Sequence, residues 1–223
     1  MADSSGRPGE GAATLACIEG RLAGSAPNHQ PQAWLVPGQS LARSRELRAS
    51  FPRDPAPAAV LVPLVDRPEG PTVLLTRRGR DLRNHAGQVS FPGGQIEASD
   101  ADPAGAALRE AYEEIGLEGR FVTVIGYLPD HIVISGFRVT PVVARVAPGF
   151  ALRPDRQEVD VVFEVPLAYV FDPRNHRPRR VRLRDSSVEI DMIDIPFGEH
   201  NIWGATAGML LTLQRVCCAD ATG

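Results

Sequence analysis

The stretch LLTRRGRDLRNHAGQVSFPGGQIEASDADPAGAALREAYEEIGL, residues 74–117, decides the fold. Its second half predicts a helix with marked ends. Asp102 then Pro103 reads as an acidic N-cap ahead of a proline at the first helical position, and Gly116 is a stop signal. At about 100° per residue, Ala104, Leu108, Ala111 and Ile115 form one apolar stripe. Glu110, Glu113 and Glu114 project together from roughly the opposite side, because neighbours three and four apart share a helix face. Three carboxylates on one face repel each other in water, and a divalent cation would relieve them. Oxygen ligands at this spacing suit Mg²⁺ or Mn²⁺. A glutamate-rich surface helix is common, so the helix carries little weight alone. The weight lies in its ordered neighbours. Phe91-Pro92-Gly93-Gly94 predicts a tight turn whose backbone can approach a metal or phosphate, and Arg109 can tether the acids through a bidentate pair.

Upstream lies a basic run, Arg77, Arg78, Arg80, Arg83 and His85. A solvated loop is the plain reading of any one of these arginines. As a group they suit phosphate, which a guanidinium binds as a fork where lysine offers only a point charge.

Outward from this stretch, the aliphatic run AAVLVPLV at 58–65 predicts a buried strand. A turn at Arg67-Pro68-Glu69-Gly70 leads into residues 72–76, which predicts a hairpin. Further strand-like runs lie at 121–128, 138–146 and 159–165, with two more at 181–183 and 188–193 around a polar Asp185-Ser186 turn. Residues 203–216 predict a closing helix. The expected fold class is α/β, a mixed sandwich in one domain. Residues 1–50 read as an N-terminal arm with short helices near 14–22 and 41–51, loosely attached over 1–33, and residues 51–223 as the domain.

The charge balance of −3, from 24 basic and 27 acidic residues, offers no global field for nucleic acid or an anionic membrane. Aromatics are only 6% and none interleaves the arginine run, which further argues against a nucleic-acid partner. No apolar run approaches the ~20 residues of a spanning helix, and MADSSGRPGEGAAT does not read as a secretory signal. The three cysteines, Cys17, Cys217 and Cys218, lack metal-ligand spacing and fit reduced thiols in a cytoplasmic protein. Trp203 is expected to pack the last helix onto the sheet. His131, His176 and His200 are expected in loop or surface roles, and Arg177, Arg179 and Arg180 on a solvated face.

Gly94, Asp100 and the run Arg109-Glu110-Ala111-Tyr112-Glu113-Glu114-Ile115-Gly116-Leu117 resemble the Nudix box, G-x5-E-x7-R-E-U-x-E-E-x-G-U with U aliphatic. Two departures stand out: Asp100 replaces the usual glutamate, and eight residues rather than seven separate it from Arg109. Glu97 competes with Asp100 for the role of early acid. The longer linker, together with Leu74-Leu75-Thr76-Arg77-Arg78 and Leu82-Arg83-Asn84-His85-Ala86-Gly87-Gln88-Val89-Ser90-Phe91-Pro92-Gly93-Gly94, resembles the coenzyme A pyrophosphatase branch of that superfamily. Weaker resemblance runs from Ala58 through residues 158–167 to Ile202-Trp203-Gly204-Ala205-Thr206.

The resemblance implies an α/β/α sandwich with a mixed sheet and an enzyme that hydrolyses a diphosphate linkage. Coenzyme A would then yield 4′-phosphopantetheine and adenosine 3′,5′-bisphosphate. It implies Glu110 and Glu114 as the main ligands of Mg²⁺ or Mn²⁺, with Glu113 and the backbone of Gly94 in support. Arg109 is expected to orient the acids, Glu113 or Glu158 to act as general base, and Arg77, Arg78, Arg83 and His85 to bind substrate. The expected partner is a small nucleotide-type molecule, with neither nucleic acid nor membrane, and a homodimer is left open. A generalist on ADP-ribose, nucleotide sugars or dinucleotides is the alternative enzyme, and a non-catalytic ligand-binding module of the same fold is a third reading.

Overall fold

The computed structural model describes residues 10–79, 86–183 and 188–218. The chain begins with α1 (Glu10–Leu22) and α2 (Leu41–Leu47), followed by β1 (Ala56–Val65), β2 (Thr72–Arg78), β3 (Val89–Ser90) and β4 (Gly93–Gln95). Then come α3 (Pro103–Ile115), β5 (Val122–Tyr127), β6 (His131–Ile132), β7 (Phe137–Val146), β8 (Val159–Pro166) and α4 (Leu167–Phe171). The chain closes through β9 (Arg177–Arg182), β10 (Glu189–Phe197), β11 (His200–Ile202) and α5 (Gly204–Cys218). The expected Asp185-Ser186 turn lies outside the described residues.

The main sheet is mixed, as expected. β1 runs parallel to β7 from the Ala56–Phe137 pair to the Val65–Val146 pair, and the other pairings are antiparallel. The aliphatic run in β1 is buried on both faces, which explains why it shows no polar alternation. Ala58, Val62 and Leu64 enter one core with Leu210 and Leu213 of α5 and Leu15, Ile18 and Leu22 of α1. Ala59, Leu61 and Val65 enter a second core with Ala107, Ala111 and Ile115 of α3. The sheet therefore lies between α3 on one face and α1, α4 and α5 on the other, an α/β/α sandwich.

The hairpin of β1 and β2 is paired at only two positions, Leu64–Val73 and Val65–Thr72. Beyond these the strands diverge and the chain of β3 and β4 inserts, β3 on β2 and β4 on β1. The Phe91-Pro92-Gly93-Gly94 segment is thus not a tight turn. It crosses from one strand to the other, and Gly93, at φ 155°, comes so close to β1 that a Cβ would strike the backbone of Val60.

The loose attachment expected of the early residues does not hold for the described ones. Ile18 is fully buried. The Leu35 N–H donates to the Asp130 carbonyl at 2.8 Å and the Leu35 carbonyl accepts from Ile132 at 2.8 Å, which lays the segment along β6. Arg215 of α5 donates to the carbonyls of Gly38 and Gln39 at 3.1 and 3.2 Å. A third, smaller core joins Trp34, Val36, Leu47 and Phe51 to Leu183 and Ile190 beside the β9–β10–β11 sheet. This segment carries too little apolar periodicity to betray its docking, because its partners lie far along the chain. Among the described residues, no helix is long and apolar enough to cross a membrane.

Candidate active site

Both ends of α3 form as expected. The Asp102 side chain accepts from the Gly105 N–H at 2.8 Å, Pro103 opens the helix, and Gly116 closes it at φ 68°. The buried face differs from the expected stripe. Ala106, Ala107, Ala111 and Ile115 are its buried apolar residues, while Ala104 and Leu108 are only partly covered. Ala106, Glu110 and Glu114 are spaced four apart, so the two glutamates continue the flank of the buried face. The three acids are therefore not a single exposed face. Glu114 is 5% exposed, Glu110 is half-buried, and the Glu113 side chain is 55% exposed on the rim.

The glutamates meet β4. The Gly93 N–H donates to Glu114 at 3.3 Å. The Glu110 carboxylate lies against Gly94, where a Cβ would collide with it. Arg78, from the end of β2, brings a guanidinium to 3.9 Å from Glu114. Burial pushes the Glu114 carboxyl up to about 8, against the opposing pull of Arg78 and the Gly93 N–H, and the charges of Glu110 and Glu158 add to the rise. Burial also raises Glu110, in spite of its bond to Arg109. Glu158 stands exposed at the start of β8, beside Arg78: its carbonyl accepts from Gly79 at 2.8 Å. Residues 153–155 bring it there, because Asp155 N–H donates to the Glu114 carbonyl at 2.9 Å.

Arg109 is the hub of the acidic cluster. Its Nε and one terminal nitrogen donate to the two oxygens of Asp100, each at 3.0 Å, and the other terminal nitrogen donates to Glu110 and Glu113, each at 2.9 Å. This bidentate pair holds the Asp100 carboxyl below the usual carboxylate range, helped by the Glu97 N–H at 2.8 Å. Asp100, not Glu97, is therefore the carboxylate that Arg109 grips. The pair also fixes the loop between β4 and α3.

Arg77 and Arg78 part company. Adjacent residues on a strand point to opposite faces, and Arg77 turns away from the glutamates to Asp160 at 2.8 Å and Glu199 at 3.4 Å. Arg83 and His85 lie outside the described residues. His131 is not on the surface: it is fully buried, within 3.1 Å of the Thr212 hydroxyl, and burial lowers its pKa to about 4. The His200 ring stacks on Phe163 with centroids 3.9 Å apart. Arg179 and Arg180 form the expected solvated face, paired across β10 with Asp194 and Asp191.

A cavity of about 810 Å³ opens beside Gly93, Gly94 and Arg78, and the half-buried Trp203 lines it. Trp203 is thus a cavity wall as well as a packing residue, with the Arg179 guanidinium 5.2 Å from its ring centre.

A cation fits this set by its donor chemistry. Two carboxylates, Glu114 buried and Glu110 half-buried, both raised by burial, face a glycine edge that leaves them room, and hard divalent cations prefer such oxygens. Among the described residues, no three His, Cys, Asp or Glu side chains are gathered into a ready cluster. Glu110 is held by Arg109 and Glu114 by Gly93 instead.

The NUDIX domain family matches residues 55–185, more than half of the chain, and the protein belongs to that family. It is 40% identical over 176 residues to the uncharacterized Nudix hydrolase NudL of Shigella flexneri, covering 78% of this chain and 90% of that one. With the NudL protein of Salmonella paratyphi B it shares 44% over 157 residues, covering 70% and 80%. Among solved structures, the Nudix hydrolase RenU of M. smegmatis is 28% identical with a TM-score of 0.44, covering 52% of this chain and 73% of that one. A MutT/nudix family protein of Enterococcus faecalis is 14% identical with a TM-score of 0.46, covering 78% and 68%. The protein is a hydrolase acting on pyrophosphate bonds. Nudix hydrolases generally use divalent metal ions, and the family points to a small nucleotide-type substrate.

Proposed function

We propose that this Nudix hydrolase cleaves the diphosphate of coenzyme A, or of a close derivative, to 4′-phosphopantetheine and adenosine 3′,5′-bisphosphate. The observation that carries the reading is the meeting of Glu110, Glu114 and Arg78 at the glycine edge of β4, which lines the cavity. The choice of coenzyme A rests on the resemblance of residues 74–94 to the coenzyme A pyrophosphatase branch.

In this reading Glu110 and Glu114 hold Mg²⁺ or Mn²⁺, with Gly94 and Glu113 in support. The bound cation supplies charge neutralisation at the diphosphate and a water of lowered pKa. Arg109, locked by Asp100, keeps Glu110 and Glu113 in place and touches no substrate. Arg78 has a buried Nε without a partner and carries its charge to the cavity, so among the described arginines of the basic run we assign it the contact with a phosphate. Arg77 is committed to Asp160 and Glu199, which leaves it a structural part. Glu113 is paired with Arg109, whereas Glu158 stands free at the rim of the glutamate pair, and we assign it the role of accepting the proton from water.

Incubation of the protein with coenzyme A, dephospho-coenzyme A and ADP-ribose, with Mg²⁺ or Mn²⁺ and product detection by mass, tests the reading. The two named products, lost in Glu114→Gln, are the expected result. Intact coenzyme A with cleaved ADP-ribose moves the enzyme to the generalist class.

A further inference from the structure

The cavity beside the glutamates has a size typical of small-ligand sites, which run from roughly 300 to 1,000 Å³. Its walls are apolar, with Phe51, Phe137, Met192, Trp203 and Met209 among them. Among the described residues, Arg78 is the only charged side chain that lines it. Two of the hydroxyls on its wall are already engaged: Ser90 with Thr76 at 3.0 Å and Thr206 with the Val89 carbonyl at 3.0 Å.

This distribution sorts ligands. Beyond Arg78 and those two hydroxyls, Gln88, Gln95 and Ser135 are, among the described residues, the polar side chains on a wall that is otherwise mostly apolar. A sugar arm would therefore bring several hydroxyls against apolar surface, and each one left unpaired costs about 1–3 kcal/mol. A chain of methylenes and methyls with a few amides loses far less and gains contact with the apolar walls. The phosphate end of either ligand is served equally, since Arg78 and the glutamate pair lie at one side.

We infer that this chamber takes the non-nucleotide arm of the substrate, a phosphorylated, uncharged and largely apolar chain. Substrate choice then depends in part on residues outside the family-matched stretch of 55–185, alongside Ile134 and Phe137 within it. Phe51 arrives from the early segment docked along β6, and Met192, Trp203 and Met209 from β10 and α5. The inference rests on the diphosphate-hydrolase reading for the position of the phosphate.

The test is calorimetric titration, with Mg²⁺ present, of two probes that share a phosphate and differ in the arm: 4′-phosphopantetheine and ribose 5-phosphate. Ala205→Leu adds bulk to a half-buried wall position at the head of α5, and Ile134→Asp puts a charge at the mouth, where Ile134 is 60% exposed and carries no core packing. The expected result is a preference of at least about tenfold for 4′-phosphopantetheine, the scale of apolar-pocket discrimination. Both variants should reduce it, with ribose 5-phosphate affinity held within about twofold. Equal affinities, no detectable binding of either probe, or a preference untouched by both variants overturns the inference. Coenzyme A turnover is measured in parallel. Cleavage without the arm preference removes the chamber and keeps the proposed function, and the preference without cleavage does the reverse.

Discussion

Glu114→Gln separates the charge of the buried glutamate from its shape. Glu114 is 5% exposed and its carboxyl is pushed up to about 8 from an ordinary 4.5, chiefly by burial. A carboxyl raised on folding holds its proton longer in the folded chain than in the unfolded one. Its favourable contribution is complete below pH 4.5 and is lost as pH rises towards 8, because the folded state then has to carry a buried charge. At about 1.4 kcal/mol per pH unit, the loss reaches about 5 kcal/mol at pH 8. Glutamine resembles the protonated acid and does not titrate, so metal-free Glu114→Gln should match the wild type near pH 4.5 and exceed it increasingly above. For a chain of this size the gap at pH 8 is on the order of 10 °C in Tm. Adding Mn²⁺ at about a hundredfold its Kd should return about 3 kcal/mol to the wild type and nothing to the variant. Urea unfolding at several pH values, with chelator or with Mn²⁺, reads both effects. A metal-free variant no more stable than the wild type at pH 8 would show that Arg78 already neutralises this carboxylate, and the argument for a cation-demanding site would fail with it.

Asp100→Ala removes the bidentate partner of Arg109, and the expected loss in kcat is about 10–100-fold with the fold retained, the range seen when groups that orient metal ligands are removed; a metal titration of activity checks it. Gly208→Ala places a Cβ 2.5 Å from Pro37 and 2.7 Å from the Gly38 backbone. It should destabilise by about 1–3 kcal/mol and speed hydrogen exchange in residues 34–51 above that elsewhere. His131, lowered to about 4 by burial, must stay neutral in the fold. The unfolded chain binds its proton first, so about 3 kcal/mol of stability should be lost as pH falls from 6.5 to 4, and His131→Gln should flatten that limb in acid denaturation.

What was legible in the sequence was local. The caps of α3 form from Asp102, Pro103 and Gly116 through contacts within four residues. β1 could be read because a strand buried on both faces needs an unbroken aliphatic run. Burial that depends on a distant partner could not be read. Ala106 and Ala107 are too small to mark a face, so the apolar pattern points along Leu108 and hides the depth of Glu114. His131 is covered by α5, some eighty residues further on. β3 and β4 are two and three residues long and have no periodicity to detect.

The arginine run shows the same limit at the site itself. Read as a group, its members share one chemistry. Read on a strand, Arg77 and Arg78 must diverge, and which one faces the glutamates depends on a register set by β8, where Arg78 pairs with Val159 across an irregularity. The acidic helix is therefore encoded in one continuous stretch, while the cavity beside it is lined from β2, β7, β10, α5 and the segment before β1. A family motif can specify the bond to be cut from the first of these. The choice of molecule belongs to the second, and for this chain that is where substitutions should change specificity without abolishing hydrolysis.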